Sequence, residues 1–211
     1  MNRACRLLAS AAGVLFALAA VSSSAAESTG TVTGKIRVDL PGIDLSTLGP
    51  VVVYLDSVGT PVSFTPPTDE PEISQKGAKF EPSFLLVTNG QTVRIPNDDS
   101  IVHNAFSYSR PNAFDLGLYP KGDARTITVR EPGPIRIYCS IHKSMNAMVF
   151  ATPLPWRAIA DRAGAFRIDG APPGHYRAVM WNERLPESAQ PVDVAAGQTS
   201  NVEISVGGST R

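Results

Sequence analysis

Short apolar runs broken by turn residues recur along this chain from residue 30 onward. Runs of this length, alternating or β-branched and bounded by Gly, Pro, Asn or Asp, predict strands. Val32 to Val38, stopping at Pro41-Gly42, and Val51-Val52-Val53-Tyr54-Leu55 are the first two. Residues 57–71 hold Gly59, Pro61, Pro66, Pro67 and Pro71 and predict a linker, since such prolines cannot sit in central strands. A second group follows. It has strands at 72–75, 84–87, 92–95 and 103–108, with Asn89-Gly90 as a hairpin turn. Residues 110–123 read as a turn-rich loop, and 125–130 alternate again. Ile135, Ile137 and Cys139 alternate with Arg136 and Tyr138, which places Cys139 on the apolar face of its strand. Residues 146–151 close the group before Thr152-Pro153-Leu154-Pro155. A third group has strands at 163–168, 177–181 and 201–206. No long stretch keeps a helical period, so the pattern predicts an all-β chain of about a dozen strands.

The first 26 residues break this pattern. Arg3 and Arg6 precede an uncharged apolar run from Leu7 to Val21, and Ser24 and Ala26 follow as small residues. That is the layout of a cleavable secretory signal, and the run is short for a membrane span. A periplasmic or secreted location is expected. No later apolar stretch is long enough to cross a bilayer.

Charge adds little. Beyond residue 26 there are 17 Lys and Arg against 19 Asp and Glu. No basic patch appears, which argues against a nucleic-acid partner. Cysteine changes the picture more. Cys5 lies in the leader, so Cys139 is the only cysteine left and has no internal disulfide partner. A lone thiol in an exported protein is a reactive group or a ligand. Histidine is scarce as well, at His103, His142 and His175.

Two of those histidines fall where they matter. Cys139-Ser140-Ile141-His142-Lys143-Ser144-Met145 places a thiolate, an imidazole and a thioether within seven residues. His103 is a further donor upstream. One Cys, two His and a weak Met form the ligand set of a blue-copper electron-transfer site. Such a set suits both Cu(I) and Cu(II) moderately well, so little rearrangement accompanies electron transfer. Met148 is the alternative axial donor, although it begins the apolar run Met148-Val149-Phe150. His175 sits in a turn far from the cluster and reads as structural. No paired carboxylates, Ser-His-Asp set or phosphate loop stands out, and four committed ligands leave no open position for a substrate. The chain is therefore not expected to be an enzyme.

Residues 72–152 resemble the cupredoxin family, over about 80 residues and less than half of the chain. His103-Asn104, after the polar Asn97-Asp98-Asp99-Ser100, is similar to the family's upstream ligand. Cys139-x-x-His142-x-x-Met145 has the short ligand spacing of amicyanin. The resemblance implies a Greek-key β-sandwich holding one type 1 copper on His103, Cys139, His142 and Met145, with a redox protein as partner and no small-molecule substrate. It also implies a hydrogen bond between Asn104 and Ser140 that locks the ligand loop. Lys143 stands where amicyanin has a proline, and Asn146-Ala147 replaces Arg-Gly. These departures bear on the partner rather than the metal.

Two further segments, 28–65 and 156–207, resemble the carboxypeptidase regulatory-like (transthyretin-like) β-sandwich. The motifs are Gly164-Ala165-Phe166 and Pro172-Pro173-Gly174-His175-Tyr176, with Gly30 to Ile36 and Val51 to Leu55 as the opening half. This implies a split sandwich with the 72–152 unit inserted. The whole is similar to bacterial methylamine-utilisation and plastocyanin-like proteins, a likeness that implies a role near amine oxidation by analogy alone. Two other readings stand beside electron transfer. One is copper binding or handling without a redox partner; the other is a structural or interaction sandwich with no metal.

Overall fold

The computed structural model describes residues 28–59 and 62–207; the expected leader lies outside them. The described residues contain sixteen strands, one 3-10 turn at Leu45–Thr47, and no α-helix. In chain order the strands begin with β1 (Gly30–Val38), β2 (Val52–Ser57), β3 (Ser74–Lys76), β4 (Lys79–Glu81), β5 (Phe84–Thr88) and β6 (Thr92–Pro96). Then come β7 (His103–Ser107), β8 (Phe114–Tyr119), β9 (Ala124–Thr128), β10 (Gly133–Tyr138) and β11 (Asn146–Thr152). The last five are β12 (Arg157–Ile159), β13 (Ala165–Ala171), β14 (Gly174–Asn182), β15 (Leu185–Val194) and β16 (Thr199–Val206). No helix among the described residues is long and apolar enough to cross a membrane.

The strands enclose two apolar cores. The first lies between the sheets β13-β1-β16 and β12-β2-β14-β15. Val32, Leu55, Ile168, Tyr176, Met180 and Ile204 fill it, each at most 2% exposed. Gly34 is required there by close approach, since a Cβ would lie 2.1 Å from the Val202 carbonyl oxygen and 2.5 Å from the Phe166 ring. The second core lies under the five-stranded sheet β5-β11-β10-β7-β8, with the pairs β3-β4 and β6-β9 completing it. Ile73, Val93, Ile95, Ile135, Ile137 and Val149 are fully buried in it. Strands β3 to β11 lie in the chain between β2 and β12 of the first pair of sheets, and Val62, Phe64 and Leu154 still pack in the first core.

The two cores meet across the back of β11. Ala147, Val149 and Ala151 face the second core, so the alternate residues Met148 and Phe150 face away from it. Phe150 stacks on Trp181 of β14 at 4.1 Å between ring centroids and lies 6.1 Å from Tyr54 of β2. Burial pushes the Tyr54 hydroxyl pKa up to about 12, with Glu187 adding to the rise. Arg157 of β12 donates to the Thr88 hydroxyl and to the Leu86 carbonyl oxygen of β5, and Arg136 of β10 pairs with Glu183. Burial lowers the pKa of the Arg157 guanidinium.

Two local expectations are corrected, and one strand appears where none was expected. Asn89-Gly90 does turn the chain, with Gln91 N–H donating to the Thr88 carbonyl at 3.1 Å. Only Gly90 has positive φ there (86°), whereas the type I′ hairpin turn needs it at both central residues. The turn instead passes the chain between sheets, for β5 pairs with β11 and β6 with β9. The loop expected at 110–123 contains β8, an edge strand on β7 that carries a register shift. The segment 185–194, which contains Pro186 and Pro191, is β15. It lies at a sheet edge, where proline is tolerated.

Candidate metal centre

Three elements build the site. β10 and β11 form a hairpin in which Tyr138 pairs with Asn146, so Cys139 to Met145 is its connecting loop. The loop is closed by backbone bonds from Cys139 N–H to the Met145 carbonyl (3.2 Å) and from Met145 N–H to the His142 carbonyl (2.9 Å). On its other side β10 pairs with β7 through Tyr138 and Phe106. That pairing brings the start of β7, His103 and Asn104, against the loop. Ser140 donates to Asn104 Oδ1 from both its N–H (2.8 Å) and its hydroxyl (3.0 Å). Asn104 is 5% exposed, so these bonds are largely shielded from water.

His103, Cys139 and His142 converge. Cys139 Sγ lies 3.9 Å from His103 Nδ1 and 3.8 Å from His142 Nδ1, and the two Nδ1 atoms are 3.1 Å apart. A point about 2.1 Å from all three atoms lies inside that triangle, close to the ~2.0–2.3 Å of zinc–nitrogen and zinc–sulfur bonds. Two imidazoles and a thiolate in a plane form the trigonal set that suits copper. The donors fit a metal ion without rearrangement. His103 is fully buried and Cys139 nearly so, whereas His142 is partly exposed. The edge of the site that reaches water is therefore the His142 ring.

Met145 is 1% exposed and packs in the same core as Cys139. Met148, the alternative thioether, lies on the opposite face of β11, beside Phe84 and Trp181. His175 is not brought to the cluster; it sits on β14, paired with Asp193 on the surface.

The upstream ligand is held by a carboxylate whose role the sequence did not disclose. His103 Nε2 lies 3.0 Å from Asp99 Oδ2. Asp99 also accepts from Ala78 N–H (2.7 Å, Oδ2) and Ser100 N–H (2.8 Å, Oδ1). The Ala78 bond first, then the His103 bond, hold the Asp99 pKa down at about 2, so the group is a carboxylate. With a carboxylate at Nε2, the proton of neutral His103 sits on Nε2 and the Nδ1 lone pair faces the cluster. Fully buried Asn97 shapes the loop. Its Oδ1 accepts from Asp99 N–H, and its Nδ2 donates to the Ile101 and Tyr119 carbonyls, all at 2.9 Å. The one signal available was Asp99 four residues before His103 in an otherwise polar loop.

The chain matches no family model and no curated protein. Solved structures similar to part of the chain include cupredoxins. A purple cupredoxin from Nitrosopumilus maritimus is 24% identical over 39% of this chain and 100% of its own, with TM-score 0.36. Amicyanin from Paracoccus versutus is 23% identical over 41% of this chain and 84% of its own, with TM-score 0.37. A reduced amicyanin variant is 23% identical over 39% of this chain and 82% of its own, also with TM-score 0.37. These are likenesses of fold over part of the chain, and the chemistry of the site stands on its own side chains.

Proposed function

We propose that this protein is a one-electron carrier of the periplasm or extracellular space. On this reading it holds one copper ion on His103 Nδ1, Cys139 Sγ and His142 Nδ1, with Met145 as a weak fourth donor. The observation that carries the proposal is the triangle of three donor atoms around a point at bonding distance from each. Bound copper would supply a centre that alternates between Cu(II) and Cu(I) in a ligand field both accept.

The chain's own residues supply the rest. The two backbone bonds that close the Cys139–Met145 loop, and the Asn104–Ser140 pair, hold the donors in place before any metal arrives. Pre-set donors keep the rearrangement on electron transfer small. His142 offers the short path to solvent. Ile101, Val102 and Ile141, the neighbours of the two histidines in sequence, are 47%, 46% and 49% exposed. Apolar side chains beside a partly exposed ligand suit brief docking of a redox protein, which favours electron transfer over copper storage. Exposed Lys143 adds positive charge and points to a partner with an acidic rim. Residues 72–152 are the metal-bearing unit, inserted in a split sandwich of 28–65 and 156–207.

The test is a Cu(II) titration of the purified chain. An intense visible thiolate-to-copper band, saturating at one equivalent and bleached by ascorbate, is expected. Folded protein with no such band would sink the copper assignment. A band that no reductant bleaches would leave copper binding without electron transfer.

A further inference from the structure

Asp99 holds more of the site than the spacing of the ligands discloses. We propose that Asp99 is a positioning residue for the metal centre: its Oδ2 anchors the Nε2 proton of His103, and its charge biases the centre toward Cu(II). The inference rests on the copper reading above.

Four observations support it. His103 is 0% exposed, so its Nε2–H must find a partner within the protein, and Asp99 Oδ2 is there at 3.0 Å. The carboxylate is itself pinned, by Ala78 N–H on Oδ2 and Ser100 N–H on Oδ1. Its backbone N–H is held by Asn97, whose remaining polar atoms are all engaged. Ala78 donates from a backbone at φ 52°, which a residue other than glycine seldom adopts. The turn between β3 and β4 thus holds a strained residue where its N–H reaches this one carboxylate.

The consequence is electrostatic. A carbonyl oxygen in the same place would also fix the tautomer, but it carries no net charge. A carboxylate makes the imidazole a stronger donor and puts a negative charge one ring away from the metal. Cu(II) has one more positive charge than Cu(I), so it gains more. Reduction of a bound copper by one electron from a reductant would lower the charge at the centre while the Asp99 carboxylate, held by Ala78 and Ser100, stays beside His103. The effect is a lower reduction potential.

The surface carboxylate Asp193, on β15 in a sheet of the other core, gives the control. Asp99→Asn and Asp193→Asn each remove one negative charge, and the amide oxygen of the first can still accept from His103. Spectroelectrochemical titration of copper-loaded Asp99→Asn is expected to show an approximately tenfold shift toward Cu(I), about 59 mV for a one-electron couple. Asp193→Asn should stay within about twofold of the parent, since an exposed charge is screened by salt. An Asp99→Asn potential within that same margin, or equal shifts in both variants, overturns the proposal.

A second measurement needs no variant and no metal. Nitrogen-15 spectra of the metal-free parent at neutral pH should show His103 as one tautomer, protonated on Nε2, with a slowly exchanging proton. A proton on Nδ1, or averaging between tautomers, overturns the anchoring role even if Asp99→Asn does not fold. Should the parent give no copper band, the copper reading fails by that result, and the tautomer still decides whether Asp99 positions the ring.

Discussion

Two histidine–aspartate pairs lie among the described residues, and they behave differently. His175 and Asp193 face each other across β14 and β15 at 2.6 Å, each 80% exposed. His103 and Asp99 are 3.0 Å apart, 0% and 14% exposed. The longer contact is the consequential one. On the surface, water and salt screen the pair, and both side chains give up rotamer freedom to hold it. Around His103 water is excluded, two further N–H groups fix the carboxylate, and the ring's other nitrogen faces a thiol and a second imidazole. Distance alone does not rank polar contacts; burial and the number of other partners do.

The sharpest way to test that contrast is to remove the donor at the centre of the buried arrangement. Cys139→Ser keeps the size of the side chain and removes the soft thiolate. Complete loss of the visible copper band is expected, with fold retained by circular dichroism. A band that survives would remove Cys139 from the site. The next effect is smaller and tests preorganisation. Asn104→Ala deletes the acceptor for both Ser140 bonds and leaves the donors in place. Loss of such an outer partner costs about 10- to 100-fold in metal affinity, measurable by competition with a chelator. Unchanged affinity would show that the loop's own backbone bonds suffice.

Asn97→Ala comes third, and it acts on stability before it acts on metal. Three hydrogen bonds of a fully buried carboxamide disappear, and the Asp99 N–H and the Ile101 and Tyr119 carbonyls lose their partner. Buried groups left unpaired cost about 1–3 kcal/mol each, less where water can enter. A fall in unfolding free energy of that order is expected by urea titration. No fall would mean that water replaces the amide and that the loop is not held by it.

The centre was legible in the chain to the extent that its donors are rare residue types in a short span. Alternation of Ile135, Ile137 and Cys139 pointed the thiol inward, and the structure buries all three in one core. His103-Asn104 could be paired with the loop only through a family resemblance, because nothing in local periodicity says that β7 lies beside β10. Asp99 was less visible still, since a carboxylate in a polar loop looks like solvated charge until the Ala78 turn is folded against it. The same limit governs the strands. Phe114, Leu116 and Leu118 alternate, yet Gly117, Pro111 and Pro120 mask β8 as a loop. β15 carries two prolines and few apolar residues because, as an edge strand, it needs only one hydrogen-bonded neighbour. Asn89-Gly90 gives a turn but not its type, and the type decides whether the chain folds back or crosses between sheets.

The smallest effect is the one that closes the comparison. His175→Ala removes a histidine and its carboxylate contact from the surface of β14, where both groups are 80% exposed. Its backbone stays paired with Asp193 in the β14–β15 ladder, so the strand loses no main-chain bond. The freed Asp193 is re-solvated, and an exposed carboxylate has little to lose in bulk water. The melting temperature, the copper band and the reduction potential are all expected to stay at parent values. A copper titration that lost an equivalent on His175→Ala would place a second metal-binding group on this surface. A shift in potential would mean that the surface pair reaches the metal after all, which its exposure argues against.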